Sequence, residues 1–131
     1  AETDPSADID GVDTAMKTVI FANVILGRSV TLADVPVTGI RGLSRERILK
    51  AAANHQRVKL IGQVGETLQV APQEIEANGP LDVPANLNAI RLTLRHGGEV
   101  GLRGPGAGGM ETATGILRDL LDIWHAMGNA L

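Results

Sequence analysis

RVKLIGQVGETLQVAPQEI, Arg57 to Ile75, is the stretch whose reading decides the fold. Its first half alternates: Val58, Leu60, Gly62 and Val64 fall on one face, and Arg57, Lys59, Ile61 and Gln63 on the other. A period of two marks a strand with one buried face. Gly65-Glu66 interrupts the pattern where a hairpin would turn, and TLQVAPQEI resumes it. A second hairpin follows downstream. NAIRLTLR alternates in the same way, His96-Gly97-Gly98-Glu99 reads as its turn, and EVGLR as the partner strand. Between the hairpins, NGPLDVPANL (residues 78–87) carries two prolines and reads as a loop.

Helical signals flank these strands. Val12, Ala15, Met16, Val19, Ile20, Val24 and Ile25 recur at helical spacing, predicting a helix from Val12 to Leu26 that Gly27 ends. Asp8 or Asp10 is placed to cap it, while residues 1–9 read as an irregular acidic lead. A short turn and then a strand are expected at 35–40. Ser44 would cap a second helix at 44–55. A last helix is expected at 110–127, with Thr114, Ile116, Leu117, Leu120, Leu121, Ile123 and Trp124 on or near its buried side. The order predicts one α+β domain over residues 1–131. It would have a mixed or antiparallel sheet with helices packed on one face. Unpaired sheet edges and the scarcity of aromatics suit a sheet continued across a dimer.

Composition excludes several functions. Phe21 and Trp124 are the only aromatic residues, so a core must be aliphatic. A net charge of −3 with scattered Lys and Arg argues against nucleic-acid binding. Without cysteine there is no thiol chemistry and no thiolate metal site. His55, His96 and His125 lack ligand spacing, so no metal is expected. The longest apolar run, Thr18 to Gly27, is too short for a membrane span, and no signal peptide is visible, which makes a cytoplasmic protein the expectation.

Chemistry concentrates at the two ends. Glu2, Asp4, Asp8, Asp10 and Asp13 crowd the start, and Lys17 follows Asp13 by one helical turn. Such a cluster is either a solvated helix cap or a site for a cationic, hydroxylated small molecule. At i, i+4 spacing Asp13 and Lys17 share one helix face; they form either a plain surface ion pair or a proton-handling lysine held by a carboxylate. The surrounding acids favour the charged form of a lysine, so Lys17 would serve as a charged donor that polarises a carbonyl. Glu2 and Asp13 could hold an ammonium, or Glu2 could be a frayed terminal acid. GPGAGG, Gly104 to Gly109, follows a strand and opens a helix. It matches G-x-G-x-x-G, but no second strand with an acidic ribose ligand follows within the 131 residues, and Met110 stands where a phosphate-loop lysine would be. It is either a helix N-terminus approached by a cofactor or a tight turn that requires glycine.

Two blocks together resemble the homoserine dehydrogenase family. AETDPSADIDGVDTAMKTVI is similar to the family's A-E-x-D-P…D-x-x-G-x-D-A-A-x-K stretch, and NAIRLTLRHGGEVGLRGPGAGGMETATGILRDLLDI to its C-terminal N-A-[IV]…G-x-G-A-G-x-x-T-A…D-[IVL] stretch. The resemblance implies that Lys17 is the catalytic lysine and that Asp13 binds homoserine. It implies that Glu2 contacts both substrate and the nicotinamide end of the cofactor, that Asp8 is a further acid important for activity, and that Gly108 is a backbone position touching the cofactor. The implied reaction is reversible hydride transfer between L-homoserine and aspartate 4-semialdehyde, with NADP or NAD.

The family's N-terminal nucleotide-binding domain, with its second catalytic lysine and sodium site, has no counterpart in these residues. NGPLDVPANL is shorter than its family counterpart and lacks a His before Pro-Leu. The resemblance therefore implies a substrate-binding and dimerisation domain, inactive alone. Its partners would be a second copy and the nucleotide-binding domain, against which helix 110–127 would pack; alone, that helix would expose an apolar stripe. The alternative is a non-catalytic module that binds an amino acid or dimerises, and a third reading is a structural domain whose acids are a cap.

Overall fold

A computed structural model describes residues 4–84 and 87–128. The elements run α1 (Ser6–Ile9), α2 (Val12–Ile20) with a π-helical extension (Phe21–Ile25), a 3₁₀ turn (Leu32–Asp34), α3 (Arg45–Ala53), β1 (Gln56–Val64), β2 (Leu68–Glu76), β3 (Leu87–Leu94), β4 (Gly98–Pro105) and α4 (Gly109–Ala126). The class is α+β, as expected. The strands pair as two antiparallel hairpins, β1 with β2 and β3 with β4. The described residues group into two compact units, one before and one after the boundary between Ala77 and Asn78.

The first unit holds the core. β1 and β2 pair from Gln56↔Glu76 to Val64↔Leu68, so the hairpin forms as expected, with a turn at residues 65–67 that takes in Thr67 beyond the expected Gly65-Glu66. Ala15 of α2 and Ala22 of its π-helical extension pack with Val35, Leu68 and Val70, and Val19, Val30, Leu60 and Val64 surround them. Val70 is the largest fully buried side chain; burying a valine contributes roughly 1.5–3 kcal/mol. Small residues on α2 let the helix lie close to β1. The hydroxyl of buried Thr18 donates back to the Thr14 carbonyl at 2.7 Å, and a Cβ on Gly62 of β1 would stand 2.2 Å from that hydroxyl oxygen.

Several local expectations are corrected. Residues 6–9 form a short helix, not an irregular lead. Neither Asp8 nor Asp10 caps α2: Gly11 does, at φ +85°, packed where a Cβ would meet Val37 Cγ1 at 2.9 Å. The strand expected at 35–40 is reduced to one parallel bridge, Val37↔Val70, because Pro36 has no N–H to donate. There Val70 N–H donates to the Pro36 carbonyl and Thr38 N–H to the Val70 carbonyl, at 2.9 and 2.8 Å. The first long helix ends at Ile25, with Leu26 as its C-cap and Gly27 following at φ +64°, and its last turn widens to π geometry. The Asn23 amide holds that end in place through two 2.9 Å bonds to the Val30 backbone. Ser44 caps α3 as expected, accepting from Arg47 N–H at 3.2 Å. The Arg47 guanidinium then ties α3 to β2 through Glu74 and the Pro72 carbonyl, at 2.6 and 2.9 Å.

In the second unit β3 and β4 pair from Leu87↔Pro105 to Leu94↔Gly98. Arg103 of β4 donates to the carbonyls of Gly79 and Pro80, each at 3.0 Å, anchoring the proline-containing loop. The helix expected at 110–127 forms, and no residue of α4 is buried: the apolar stripe expected of the helix alone is exposed, and the side expected to be buried is uncovered among the described residues. Ile116, Leu117, Leu120 and Ile123 are exposed, and the lone Trp124 is 47% exposed. Among the described residues no helix is long and apolar enough to cross a membrane.

Gly62→Ala is expected to destabilise the fold by about 1–3 kcal/mol through overpacking. Adding Thr18→Ala, which removes the obstructing hydroxyl, should recover part of that loss in urea unfolding. A double variant no more stable than Gly62→Ala alone would show that the contact does not limit the approach.

Candidate functional site

α2 separates its faces by helical spacing. Ala15, Thr18 and Ala22 turn inward, and Asp13 and Lys17 share the outer side. Lys17 Nζ lies 2.8 Å from Asp13 Oδ2, with the side chains 57% and 42% exposed. The pair expected from the sequence is thus formed and reachable by a small molecule. Its chemistry is that of an ammonium held in place by a carboxylate: it can donate to an oxygen, while the carboxylate retains acceptor capacity for an ammonium or hydroxyl.

The other acids take different positions. Asp8 is exposed on α1, ahead of the turn at Gly11. Glu2 lies outside the described residues. Asp10, read from the sequence as a possible cap and one of the crowded acids, is paired instead: its Oδ1 and Oδ2 accept from Arg41 Nε and Nη2, each at 2.9 Å. That bidentate bond holds the Asp10 carboxyl below the usual carboxylate range, and partial desolvation opposes it. Arg41 is the residue that sequence reasoning missed. A partner 31 residues away leaves no periodic trace, and the arginine sits in a loop without a motif.

Gly108 lies in the second unit. It is the residue before α4, at φ +144° and ψ +149°, and its carbonyl accepts from Thr112 N–H at 3.0 Å. That conformation requires glycine. A Cβ there would meet the Glu111 carboxylate at 2.0 Å. The structure therefore brings Asp13 and Lys17 together and places Asp8 in the same unit. Among the described residues no cluster of three or more His, Cys, Asp or Glu could hold a metal ion.

Because the Asp13–Lys17 pair is solvent-exposed, Lys17→Ala is expected to change stability by no more than about 0.5 kcal/mol. Thermal melts would check this, and a large loss would give the pair a structural role.

Comparison with known proteins puts these features in context. The family model described as homoserine dehydrogenase matches residues 1–121. The homoserine dehydrogenase of Methanocaldococcus jannaschii is 42% identical over 127 residues, covering 96% of this chain and 38% of that protein. The crystal structure of S. aureus homoserine dehydrogenase at pH 6.0 superposes with a TM-score of 0.83 at 31% identity, covering 100% of this chain and 35% of that one. A hyperthermophilic archaeal homoserine dehydrogenase in complex with NADPH gives a TM-score of 0.74 at 32% identity, covering 98% of this chain and 37% of that one. The chain spans 30–38% of the length of the curated relatives it matches.

Proposed function

This chain belongs to the homoserine dehydrogenase family, and from that premise we propose that it supplies the homoserine-binding half of the active site, with Lys17 as catalytic residue. The observation that carries the reading is the exposed Lys17–Asp13 pair, 2.8 Å apart on α2, in a chain whose first 121 residues match the family.

The substrate is L-homoserine, or aspartate 4-semialdehyde in the reverse direction. Asp13 accepts from the substrate ammonium, with Asp8 and Glu2 as further acids of the site. In the reducing direction Lys17 donates a hydrogen bond to the aldehyde oxygen and then a proton as the alkoxide forms. In the oxidising direction the neutral amine form of Lys17, the form left by that donation, receives the hydroxyl proton. When bound, NADP or NAD would supply the hydride chemistry at the substrate's terminal carbon. Gly108, at the α4 N-terminus, would give it a backbone contact, and a separate nucleotide-binding domain would hold the phosphates. The 131 residues alone accordingly turn over no substrate. Helix 110–127 packs on that separate domain, and the chain works as a homodimer.

Mixing the 131-residue chain with its cognate nucleotide-binding domain should restore nicotinamide-dependent oxidation of homoserine. Lys17→Ala should then lower the restored rate by about 100-fold or more, the usual size of a lost general acid–base. A rate within a factor of about two of the parent would remove Lys17 from the chemistry.

Light scattering should give twice the chain mass at micromolar concentration. A monomer would count against the dimer.

A further inference from the structure

Three contacts from the segment 39–41 converge on the elbow between α1 and α2. Arg41 grips Asp10 through two bonds of 2.9 Å. Ile40 N–H donates to the Ile9 carbonyl at 2.8 Å. Gly39 lies so close that a Cβ would stand 2.5 Å from the Ile9 carbonyl oxygen and 2.7 Å from Asp10 Cα. The next residue, Gly11, turns the chain at φ +85°, and α2 begins at Val12. Asp8 precedes this elbow and Asp13 follows it, so any rotation at residues 10 and 11 moves one acid relative to the other.

An exposed ion pair contributes little to stability, and the Arg41 and Asp10 side chains are 63% and 45% exposed. What a bidentate guanidinium–carboxylate pair does supply is fixed orientation, since both oxygens are held in the plane of the guanidinium. The backbone bond at Ile40 and the close seat of Gly39 set the distance of the segment from the elbow. The guanidinium then fixes the angle. Arg41 also neutralises Asp10, the one acid lying in sequence between Asp8 and Asp13.

We infer that Arg41 is a positioning residue for the amino-acid site: by clasping Asp10 it fixes the α1–α2 elbow and so holds Asp8 in register with the Asp13–Lys17 pair. The inference rests on the assignment of Asp8, Asp13 and Lys17 made above. Arg41 acts through Asp10 and touches no substrate. Its loss therefore weakens ammonium binding equally in the ground and transition states, which raises KM and leaves kcat near its parent value.

The test is a double-mutant cycle in the full enzyme containing this chain, at saturating nicotinamide cofactor. Arg41→Gln and Asp10→Asn should each raise the KM for homoserine about 5- to 20-fold, with kcat within about threefold. The double variant should raise KM no further than either single one, because both break the same clasp. Three results would overturn the inference. KM could stay within about twofold while only the melting temperature falls, which is a purely structural role. Arg41→Gln alone could raise KM while Asp10→Asn does not, which would mean that Arg41 binds the substrate carboxylate itself. The two effects could also add fully in the double variant. Lys17→Ala, measured alongside, separates the two layers. If it retains turnover, the site assignment fails. If it abolishes turnover while Arg41→Gln keeps the parent KM, only the clasp fails.

Discussion

The close seat of α2 on β1 is the constraint from which the first unit follows. Thr18 lies over Gly62 with no room for a Cβ between them. The helix can come that near because its inward positions are Ala15, Thr18 and Ala22 and the strand offers a bare backbone. Close approach in turn lets medium-sized side chains such as Val70, Val35 and Leu68 close a core without an aromatic residue. A larger residue at any of these positions would lift the helix and open voids that the aliphatic side chains around it are too small to fill.

That geometry also determines what faces solvent. Once Ala15 and Thr18 are inward, a helical period puts Asp13 and Lys17 outward together. The chemistry of α2 is thus a consequence of its packing face. The acids before it depend on a different support. Asp8 belongs to a short helix with no buried residue, and the backbone joining it to α2 passes through a glycine in left-handed conformation. The loop at residues 39–41 provides external bracing for a segment whose own turns have little reason to hold one angle.

The parts of the structure legible in the sequence are those in which local chemistry and periodicity agree. The two hairpins, the Ser44 cap and the i, i+4 pair on α2 are of this kind. The differences have three separate causes: a distant partner, a missing backbone donor and an uncovered apolar face. Asp10 has the side chain of a helix cap, but a bidentate arginine offers its carboxylate two charged donors where a cap offers backbone N–H groups. Residues 35–40 have strand-forming valines, but Pro36 removes a donor and only the Val37 bridge remains. Helix α4 has the pattern of a packed helix and no buried residue. Its periodicity records an apolar face, and periodicity carries no information about what covers that face.

The distribution of chromophores divides the molecule optically. There is no tyrosine, and the single tryptophan, Trp124, lies near the end of α4, 47% exposed. The unit at residues 1–77, with the aliphatic core and the Asp13–Lys17 pair, contributes only Phe21 to near-ultraviolet absorption. Intrinsic fluorescence therefore reports on the surroundings of α4 and is blind to the core beneath α2. Whatever comes to lie over Trp124 would shift its emission, while the β1–β2 hairpin carries no tryptophan or tyrosine of its own to report its melting.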